Sequence, residues 1–316
     1  MRLAPPFAIS SVSDDPSRSG HLLADRRAAY AEDCFRDGNA VAAADLMRQA
    51  LELAPDWTLG RTRLAVFQEA SGERDEAIAT LKDASEADED GRFGTPLALA
   101  RLGAAPVPNT APPAYVEALF DSYAERFERS LVEKLGYRGP DILAEDLAAV
   151  RAPLAFEAAL DLGCGTGLMG ERLRPFVGRL DGVDLSTSML AKAAAKRVYD
   201  SLTAGDILDA RLEWAGAYDL ATAADVLIYV GDLRPLFDSV ARRLRTGGLF
   251  AFTVETHEGK EPFMLQPSLR FAHAPEPLRE TLAASGFAVA RERPIVIRKD
   301  RGQSLPGLSV IAALRS

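Results

Sequence analysis

The chain has 316 residues, of which 47% are hydrophobic and 26% are charged, values typical of a folded protein of about two domains. Its 37 basic and 46 acidic residues give a net charge of −9, which argues against nucleic acid as the main partner. Two cysteines are too few for a disulfide framework or a cysteine-built zinc site, so we expect no metal. Short apolar runs and the absence of a secretory pattern predict a cytoplasmic protein without a membrane span.

The first third of the chain predicts a loose tail followed by helical repeats. Residues 1–20 are rich in Ser, Pro and Asp, as in loose tails, whereas residues 21–102 are rich in helix-forming residues. Five positions recur 34 residues later: Ala31, Gly38, Ala43, Met47 and Ala50 correspond to Ala65, Gly72, Ala77, Leu81 and Ala84. This period resembles the tetratricopeptide repeat, a helix–turn–helix unit, although an Ala-rich bundle with chance periodicity is the alternative. Repeats of this kind imply a protein partner, and their acidity favours a basic one.

Residues 103–113 contain four prolines and no charge, which predicts a semi-rigid linker. A second domain of residues 114–316 would follow, with a helical cap over 114–150 and a sheet core over 156–316. Within the cap, Phe120, Tyr123, Phe127 and Leu131 share one helical face. That face packs against the next domain, or Tyr123 or Phe127 also covers a bound ligand.

From residue 156 onward, short apolar strands alternate with amphipathic helices. The predicted strands are Glu157–Leu162, Arg179–Asp184, Ser201–Ala204, Tyr218–Ala223, Gly248–Glu255, Ala288–Glu292 and Leu308–Ala313. The predicted helices between them are Leu168–Pro175, Ser188–Val198, Leu233–Arg245 and Glu276–Ser285. This alternation predicts an α/β fold, with a Rossmann-like, mostly parallel sheet of seven strands and helices on both faces. Ligands of such sheets bind beyond the carboxyl ends of the strands.

The most informative segment is the strand and glycine turn ALDLGCGTG at residues 159–167. Its glycines allow a tight turn and close approach of a ligand to the backbone. The stretch 165–170 formally matches the G-x-G-x-x-G pattern of dinucleotide sites. However, Asp161 precedes the first glycine, and a carboxylate there would repel a pyrophosphate but suit a cationic ligand.

This turn resembles the D-x-G-x-G-x-G hallmark of class I S-adenosylmethionine-dependent methyltransferases, and further segments agree in chain order through residue 250. The resemblance implies S-adenosylmethionine as the cofactor, with Asp184 on the ribose hydroxyls, Asp206 on the adenine amino group and Ile207 against the ring. The implied cofactor residues are Asp161, Gly163, Cys164, Gly165, Gly167, Asp184, Leu185, Met189, Asp206, Ile207, Ala224, Asp225 and Tyr123. Together with SYAERFERSLVEKLGYRGPDIL and LQPSLRFAH, the chain resembles predicted bacterial methyltransferases that carry tetratricopeptide repeats.

The acceptor side is less defined by the sequence. The fourth strand is followed by Ala-Asp-Val and not by the Asn/Asp-Pro-Pro-Tyr motif of adenine and glutamine N-methyltransferases, and no Pro-Cys pair is present. We expect a small-molecule or carrier-bound acceptor and, from the acidity, no nucleic acid. Candidate catalytic residues are His257, as the base, with Asp225 and Tyr229; His257 could equally be a solvated loop residue. Arg270 and His273 are candidates for anchoring a substrate carboxylate, and a surface arginine beside a helix-start histidine is the alternative.

Three functions follow from these patterns. The first is methyl transfer from S-adenosylmethionine to oxygen or nitrogen of the acceptor, with the repeats recruiting a partner or covering the site. The second is a binding or scaffold protein whose Rossmann-like half has no turnover. The third is an NAD(P)-dependent oxidoreductase, which depends only on the match at residues 165–170.

Overall fold

The computed structural model describes residues 18–123, 136–209, 217–300 and 303–315, which form two compact units, Met1–Glu89 and Asp90–Ser316. Residues 1–17 of the predicted tail lie outside the described residues, as does Phe127. The predicted domain bounds place the end of the repeats at residue 102, whereas the contacts divide the chain after Glu89. Over the described ranges, no helix is both long enough and apolar enough to cross a membrane.

The first unit consists of two helical hairpins. Its helices are α1 (Leu22–Arg36), α2 (Ala40–Leu53), α3 (Thr58–Ala70) and α4 (Arg74–Ser85). Gly38 and Gly72 lie in the two hairpin turns with φ of 83° and 90°, a left-handed conformation that favours glycine. The other residues of the 34-residue period are buried between the helices. The period therefore follows from packing, because small side chains allow the paired helices to approach each other.

The second unit is a mixed sheet with helices on both faces. Its strands are β1 (Phe156–Leu162), β2 (Val177–Asp184), β3 (Ser201–Ala204), β4 (Tyr218–Ala223), β5 (Leu244–Thr256), β6 (Phe263–Leu265), β7 (Phe271–His273), β8 (Phe287–Asp300) and β9 (Gln303–Leu314). The helices are α5 (Thr95–Arg101), α6 (Pro113–Tyr123), α7 (Gly139–Val150), α8 (Leu168–Leu173), α9 (Thr187–Lys196), α10 (Arg234–Arg243) and α11 (Pro275–Ala284). The parallel strands lie in the order β3-β2-β1-β4-β5, and β9 pairs antiparallel with β5 and β8.

The predicted fold class is confirmed, but the sheet has nine strands among the described residues and the prediction of seven is wrong. The two additional strands, β6 and β7, form a hairpin in the segment between β5 and α11. β7 pairs in parallel with Glu255 and Thr256 at the end of β5. Since β9 occupies the opposite edge of β5, the hairpin continues the sheet beyond the last residue of β4. Three-residue strands carry too little periodicity to be recognised in a sequence.

The proline-rich segment 103–113 is hydrogen-bonded to the second unit. The Ala111 amide donates to the Tyr229 carbonyl at 2.8 Å, and the amides of Gly231 and Asp232 donate to the Asn109 carbonyl. Leu97 of α5 is buried with Ala111 in the same apolar cluster. This segment therefore forms part of the second unit and leads directly into α6.

A buried carboxylate joins α7 to the last two strands. Asp146 is 1% exposed and accepts hydrogen bonds from Arg291 Nε at 2.6 Å, Arg293 Nε at 3.1 Å and Ser309 Oγ at 2.6 Å. Three donors offset the cost of removing this charge from water. The interaction fixes α7 on one face of the sheet, on the side opposite α10 and α11.

We expect Asp146→Ala to lower the free energy of unfolding by about 2–4 kcal/mol, because two guanidinium groups lose their shared carboxylate. Urea unfolding followed by circular dichroism measures the change. The neighbouring Glu145→Ala is the matched control, because Glu145 is 52% exposed and also pairs with Arg293. Its expected loss is below about 1 kcal/mol. Equal losses in both variants would contradict a role for the buried position.

Candidate functional site

A cavity of about 370 Å³ lies at the carboxyl ends of β1, β2 and β4, where ligands of parallel sheets bind. Its walls are mainly apolar, and its charged lining residues fall into two groups. One group is acidic and surrounds the glycine turn: Asp161, Asp184 and Asp206. The other combines Asp225 with two arginines, Arg270 and Arg298. The cavity thus has an acidic half and a half of mixed charge.

The glycine turn places backbone directly against the cavity. Gly163 has φ of 63°, and a Cβ at this position would lie 2.5 Å from a methyl group of Val226. Gly165 has φ of 53°, and no atom lies within 4 Å of the position of its Cβ. The backbone at Gly165 is therefore open to a ligand. Cys164 is buried between them, and burial raises the pKa of its thiol, so that it stays protonated.

Asp161 ends its strand beneath this turn with 1% exposure. Its carboxylate accepts hydrogen bonds from the hydroxyls of Tyr199 at 2.7 Å and Thr222 at 2.8 Å. Burial raises the pKa of Asp161 to about 6, although the two hydroxyl donors oppose the increase. A nearby cation would restore the ionised form, so this carboxylate is suited to a positively charged ligand.

Asp184 and Asp206 follow the next two strands, β2 and β3. One Asp184 oxygen accepts from the Gly165 amide at 2.8 Å and the other from the Ser186 amide at 2.9 Å, so this side chain also fixes the glycine turn. Burial raises the pKa of Asp184. Asp206 accepts from the Leu208 amide at 2.9 Å, and Ile207 lines the cavity beside it. The two carboxylates thus line the cavity together with an apolar surface.

Asp225 lies at the end of β4 in an unusual backbone conformation. Its φ is 61°, and its amide donates to Thr253 Oγ1 at 2.9 Å, which holds this conformation. Its carboxylate accepts from Arg298 Nη1 at 2.7 and 2.6 Å, and Arg298 Nη2 donates to Glu255. Arg298 is 3% exposed. Both Asp225 oxygens are therefore occupied by a buried guanidinium.

Tyr229 and Arg270 form the remaining polar part of the cavity wall. Burial raises the pKa of Tyr229, and the neighbouring Arg270 guanidinium opposes this increase. Arg270 is held at the start of β7 by a turn in which its carbonyl accepts from the Gln266 amide at 2.8 Å. Tyr137 also lines the cavity, and burial keeps the pKa of its hydroxyl well above 10. Both tyrosines are therefore hydrogen-bond donors and not bases.

Most of the predicted site residues line this one cavity. They are Asp161, Gly163, Cys164, Gly165, Asp184, Leu185, Asp206, Ile207, Ala224, Asp225, Tyr229 and Arg270. Gly167 begins α8 and Met189 is fully buried in α9, and neither is among the lining residues. Tyr123 is the last residue of α6, and its side chain lies outside the described residues.

The structure does not bring the two candidate histidines to the cavity. His257 follows β5, and its Nδ1 accepts from the Gly259 amide at 3.0 Å. His273 is 3% exposed, and its Nε2 lies 3.0 Å from the Val230 carbonyl, to which it must donate. Burial lowers the pKa of His273 to about 4, so the ring is neutral. Its position supports the backbone beside Tyr229.

Sequence reasoning missed several lining residues because they are distant from the motifs. Thr110 and Ala111 belong to the segment predicted as a linker, Val116 and Phe120 to the helix after it, and Arg298 to β8. The available signal for Arg298 was an arginine directly after the apolar run Pro-Ile-Val-Ile. When a strand begins outside the site, its sequence does not indicate that its other end reaches the site.

Comparisons with known proteins agree with this geometry. Residues 160–252 match the family model described as "Methyltransferase domain", and residues 35–99 match the one described as "Tetratricopeptide repeat". The chain is 31% identical over 118 residues to a ubiquinone biosynthesis O-methyltransferase of Thiobacillus denitrificans, covering 35% of this chain and 49% of that one. It is 32% identical over 110 residues to a malonyl-[acyl-carrier protein] O-methyltransferase of Salmonella typhimurium, covering 35% and 43%. The chain thus spans less than half the length of these relatives.

Solved structures support the fold of the second unit. Magnesium protoporphyrin IX methyltransferase from Synechocystis PCC 6803 superposes with a TM-score of 0.51 at 20% identity, covering 65% of this chain and 99% of that one. The N-methyltransferase NodS from Bradyrhizobium japonicum gives 0.50 at 18% identity, covering 64% and 99%. At these identities the likeness concerns the fold. The family matches identify a methyltransferase domain at residues 160–252, within the second unit, and tetratricopeptide repeats at residues 35–99.

Proposed function

We propose that the second unit binds S-adenosylmethionine and transfers its methyl group to an oxygen or nitrogen atom of a small or carrier-bound acceptor. The observation that carries this proposal is the convergence of Asp161, Asp184 and Asp206 on a glycine turn that is open to the cavity at Gly165. Three carboxylates beside bare backbone favour a cationic ligand with hydroxyl and amino donors. The same carboxylates would repel a pyrophosphate.

Each part of the cofactor has a chemically matched neighbour in this arrangement. Asp161 would bind the ammonium group, Asp184 the ribose hydroxyls and Asp206 the adenine amino group, with Ile207 against the ring. The residue types at these positions agree with the family pattern, and all four residues line the cavity. When bound, the cofactor supplies an electrophilic methyl group on a sulfonium sulfur, and the protein positions the acceptor in line with it.

The acceptor would occupy the half of the cavity near Asp225, Tyr229 and Arg270. The names of the two curated relatives, an O-methyltransferase of ubiquinone biosynthesis and one acting on malonyl-[acyl-carrier protein], support a small or carrier-bound acceptor and oxygen as the methylated atom. The net charge of −9 argues against a nucleic acid acceptor. For the repeat unit, we propose recruitment of a protein partner, because that is what such repeat surfaces do.

A second candidate function is ligand binding without turnover, as in a scaffold protein. It is favoured by one observation: His257 lies outside the cavity lining, and Asp225 is occupied by Arg298. An acceptor that must lose a proton therefore lacks a free base among the described lining residues. Transfer of a labelled methyl group to any component of a cell extract would remove this alternative.

We expect Gly165→Ala to weaken binding of S-adenosylhomocysteine at least tenfold. The new methyl group would occupy the open space through which the cofactor approaches the backbone at Gly165. Isothermal titration calorimetry measures the affinity. Gly247→Ala is the matched control: Gly247 has φ of 77° and open space around its Cβ position, but it does not line the cavity. Both substitutions carry a strain of about 1–2 kcal/mol, so their melting temperatures should fall similarly.

Failure of the unchanged protein to bind S-adenosylhomocysteine would refute the proposed cofactor. Equal affinities of the two glycine variants would show that the ligand binds elsewhere. Preferential binding of NADH would instead revive the oxidoreductase alternative suggested by the Gly165–Gly170 pattern.

The raised pKa of Asp161 predicts a pH dependence of cofactor binding. The free protein protonates Asp161 below about pH 6, whereas an ammonium group binds the ionised carboxylate, so affinity should fall by up to tenfold per pH unit below that value. Burial also raises the pKa of Asp184, so part of the pH dependence of cofactor binding will remain in the Asp161→Asn variant. Calorimetry across this pH range with both proteins separates the two contributions. An unchanged profile in Asp161→Asn would disprove the assignment of Asp161 to the ammonium group.

Methyl transfer itself can be tested with radiolabelled S-adenosylmethionine and fractionated cell extract. We expect a labelled product that is small or attached to a carrier protein, and its identification names the acceptor. The Gly165→Ala protein should form this product at less than about a tenth of the rate of Gly247→Ala, because it binds less cofactor. Label recovered in RNA or DNA would contradict the proposed acceptor class.

A further inference from the structure

We propose that the acceptor is an apolar carboxylic acid, that Arg270 binds its carboxylate, and that the product is a methyl ester. This inference rests on the proposed methyl transfer and specifies its substrate class and reaction. It is carried by Arg270, which has no carboxylate partner among the described residues, by the apolar side chains that line the cavity beside it, and by the lack of a free base among the described lining residues.

Arg270 is the cationic group in this cavity that remains available for an anion. Within the described part of the chain, no carboxylate forms an ion pair with its guanidinium at 4.0 Å or less; the Tyr229 hydroxyl neighbours it, and the more distant charges of Asp225 and Glu255 also act on it. Arg298 differs, because both Asp225 oxygens and one Glu255 oxygen surround it. A guanidinium offers five N–H donors in a planar arrangement that matches a carboxylate.

The position of Arg270 is fixed by its backbone. It follows a turn in which Leu269 has φ of 61°, and its carbonyl accepts the amide hydrogen of Gln266. The next residue, Phe271, is fully buried and packs edge-on against Phe263 with ring centroids 5.8 Å apart. The backbone that carries Arg270 is thus held in place before the ligand arrives, which reduces the entropy lost on binding.

Apolar side chains line much of the cavity beside this arginine. Ala111, Val116, Phe120 and Val230 line the same half of the cavity, and the Phe120 ring meets the Tyr229 ring at 5.7 Å in a T-shaped contact. A ligand that fits this surface has a hydrocarbon or aromatic body and one anionic end. Phosphate esters fit less well, because a second negative charge would lie close to Asp225 and Glu255, and the other arginine among the described lining residues, Arg298, is already paired with both.

The chemistry of a carboxylate agrees with the groups present. One carboxylate oxygen forms the O–CH3 bond as the S–CH3 bond of the cofactor breaks, and the electron pair of that bond goes to sulfur. The products are a neutral ester and S-adenosylhomocysteine, so no proton has to be removed. An alcohol or ammonium acceptor would need a base. Among the described lining residues, Asp225 is held by Arg298, and burial keeps Tyr137 and Tyr229 protonated.

The test uses the full chain with labelled S-adenosylmethionine and matched probes. The acids are hexanoate, octanoate, decanoate and 4-phenylbutanoate, and the comparison set contains the corresponding alcohols and amines. Alkali hydrolyses a methyl ester and releases labelled methanol, whereas methyl ethers and methylamines retain the label. We expect alkali-labile product from at least one acid and none from the alcohols or amines.

Variants connect this product to Arg270. Arg270→Gln should lower kcat/KM for the acid about 10- to 100-fold through loss of charge-assisted hydrogen bonds, and Arg270→Lys should retain part of the activity. Arg242→Gln, on the exposed surface of α10, is the matched control and should leave the activity unchanged. Melting temperatures and S-adenosylhomocysteine affinities of all three variants show whether each protein is folded and binds cofactor.

The outcomes separate this inference from the proposed function. Cofactor binding with transfer to an alcohol or amine, but to no acid, would overturn the acid acceptor while methyl transfer stands. Equal methylation of acids by Arg270→Gln and the unchanged protein would overturn the role of Arg270 in binding the carboxylate. Absence of cofactor binding would overturn both. Cofactor binding without transfer to any probe also counts against the inference.

Discussion

At the end of β1 the chain buries a carboxylate, Asp161, to 1% exposure, and this is stable only because the hydroxyls of Tyr199 and Thr222 donate to it. The Tyr199 ring can reach Asp161 because glycines surround it. A Cβ at Gly170 would clash with the ring, and those at Gly167 and Gly182 would lie within about 3 Å of it. The glycines of this region therefore serve two purposes, since Gly163 and Gly165 face the cavity and the others admit the tyrosine. The acidic character of the cofactor half depends on this packing.

The division of the cavity into two halves follows from the sheet. The cofactor half is built at the ends of β1, β2 and β3, where sequential strands bring Asp161, Asp184 and Asp206 together through local turns. The acceptor half is built from distant segments: the proline-rich stretch before α6, the β6–β7 hairpin and the end of β8. The hairpin lies there because β5 is longer than β4 and leaves an edge that β7 can pair with. Changes in these segments can therefore alter the acceptor without disturbing the cofactor site.

This division also explains how much the sequence could predict. The parallel strands and their acids were identifiable because each acid lies at or within two residues of the carboxyl end of a predicted strand, and the edge position follows from the fold. The repeats were identifiable because one period fixes the whole packing pattern. By contrast, His257 directly follows β5, at the same edge of the sheet at which Asp184 ends β2, yet the β6–β7 hairpin pairs at that end of β5 and His257 does not line the cavity. Pairing between short, distant strands has no local signal, so the acceptor half needed the structure.

Charge balance links the two halves. Arg298 carries one positive charge against the carboxylates of Asp225 and Glu255, so this buried cluster is negative by itself, and Arg270 makes it neutral. A sulfonium brought close to Asp225 adds one positive charge, and an anionic acceptor at Arg270 then restores neutrality in a site of low dielectric. The two ligands should therefore favour each other's binding. After transfer both products are neutral at the reacting groups, and the electrostatic attraction between them is lost. With the proposed acid acceptor, the charges that attract the two reactants would therefore also promote release of the products.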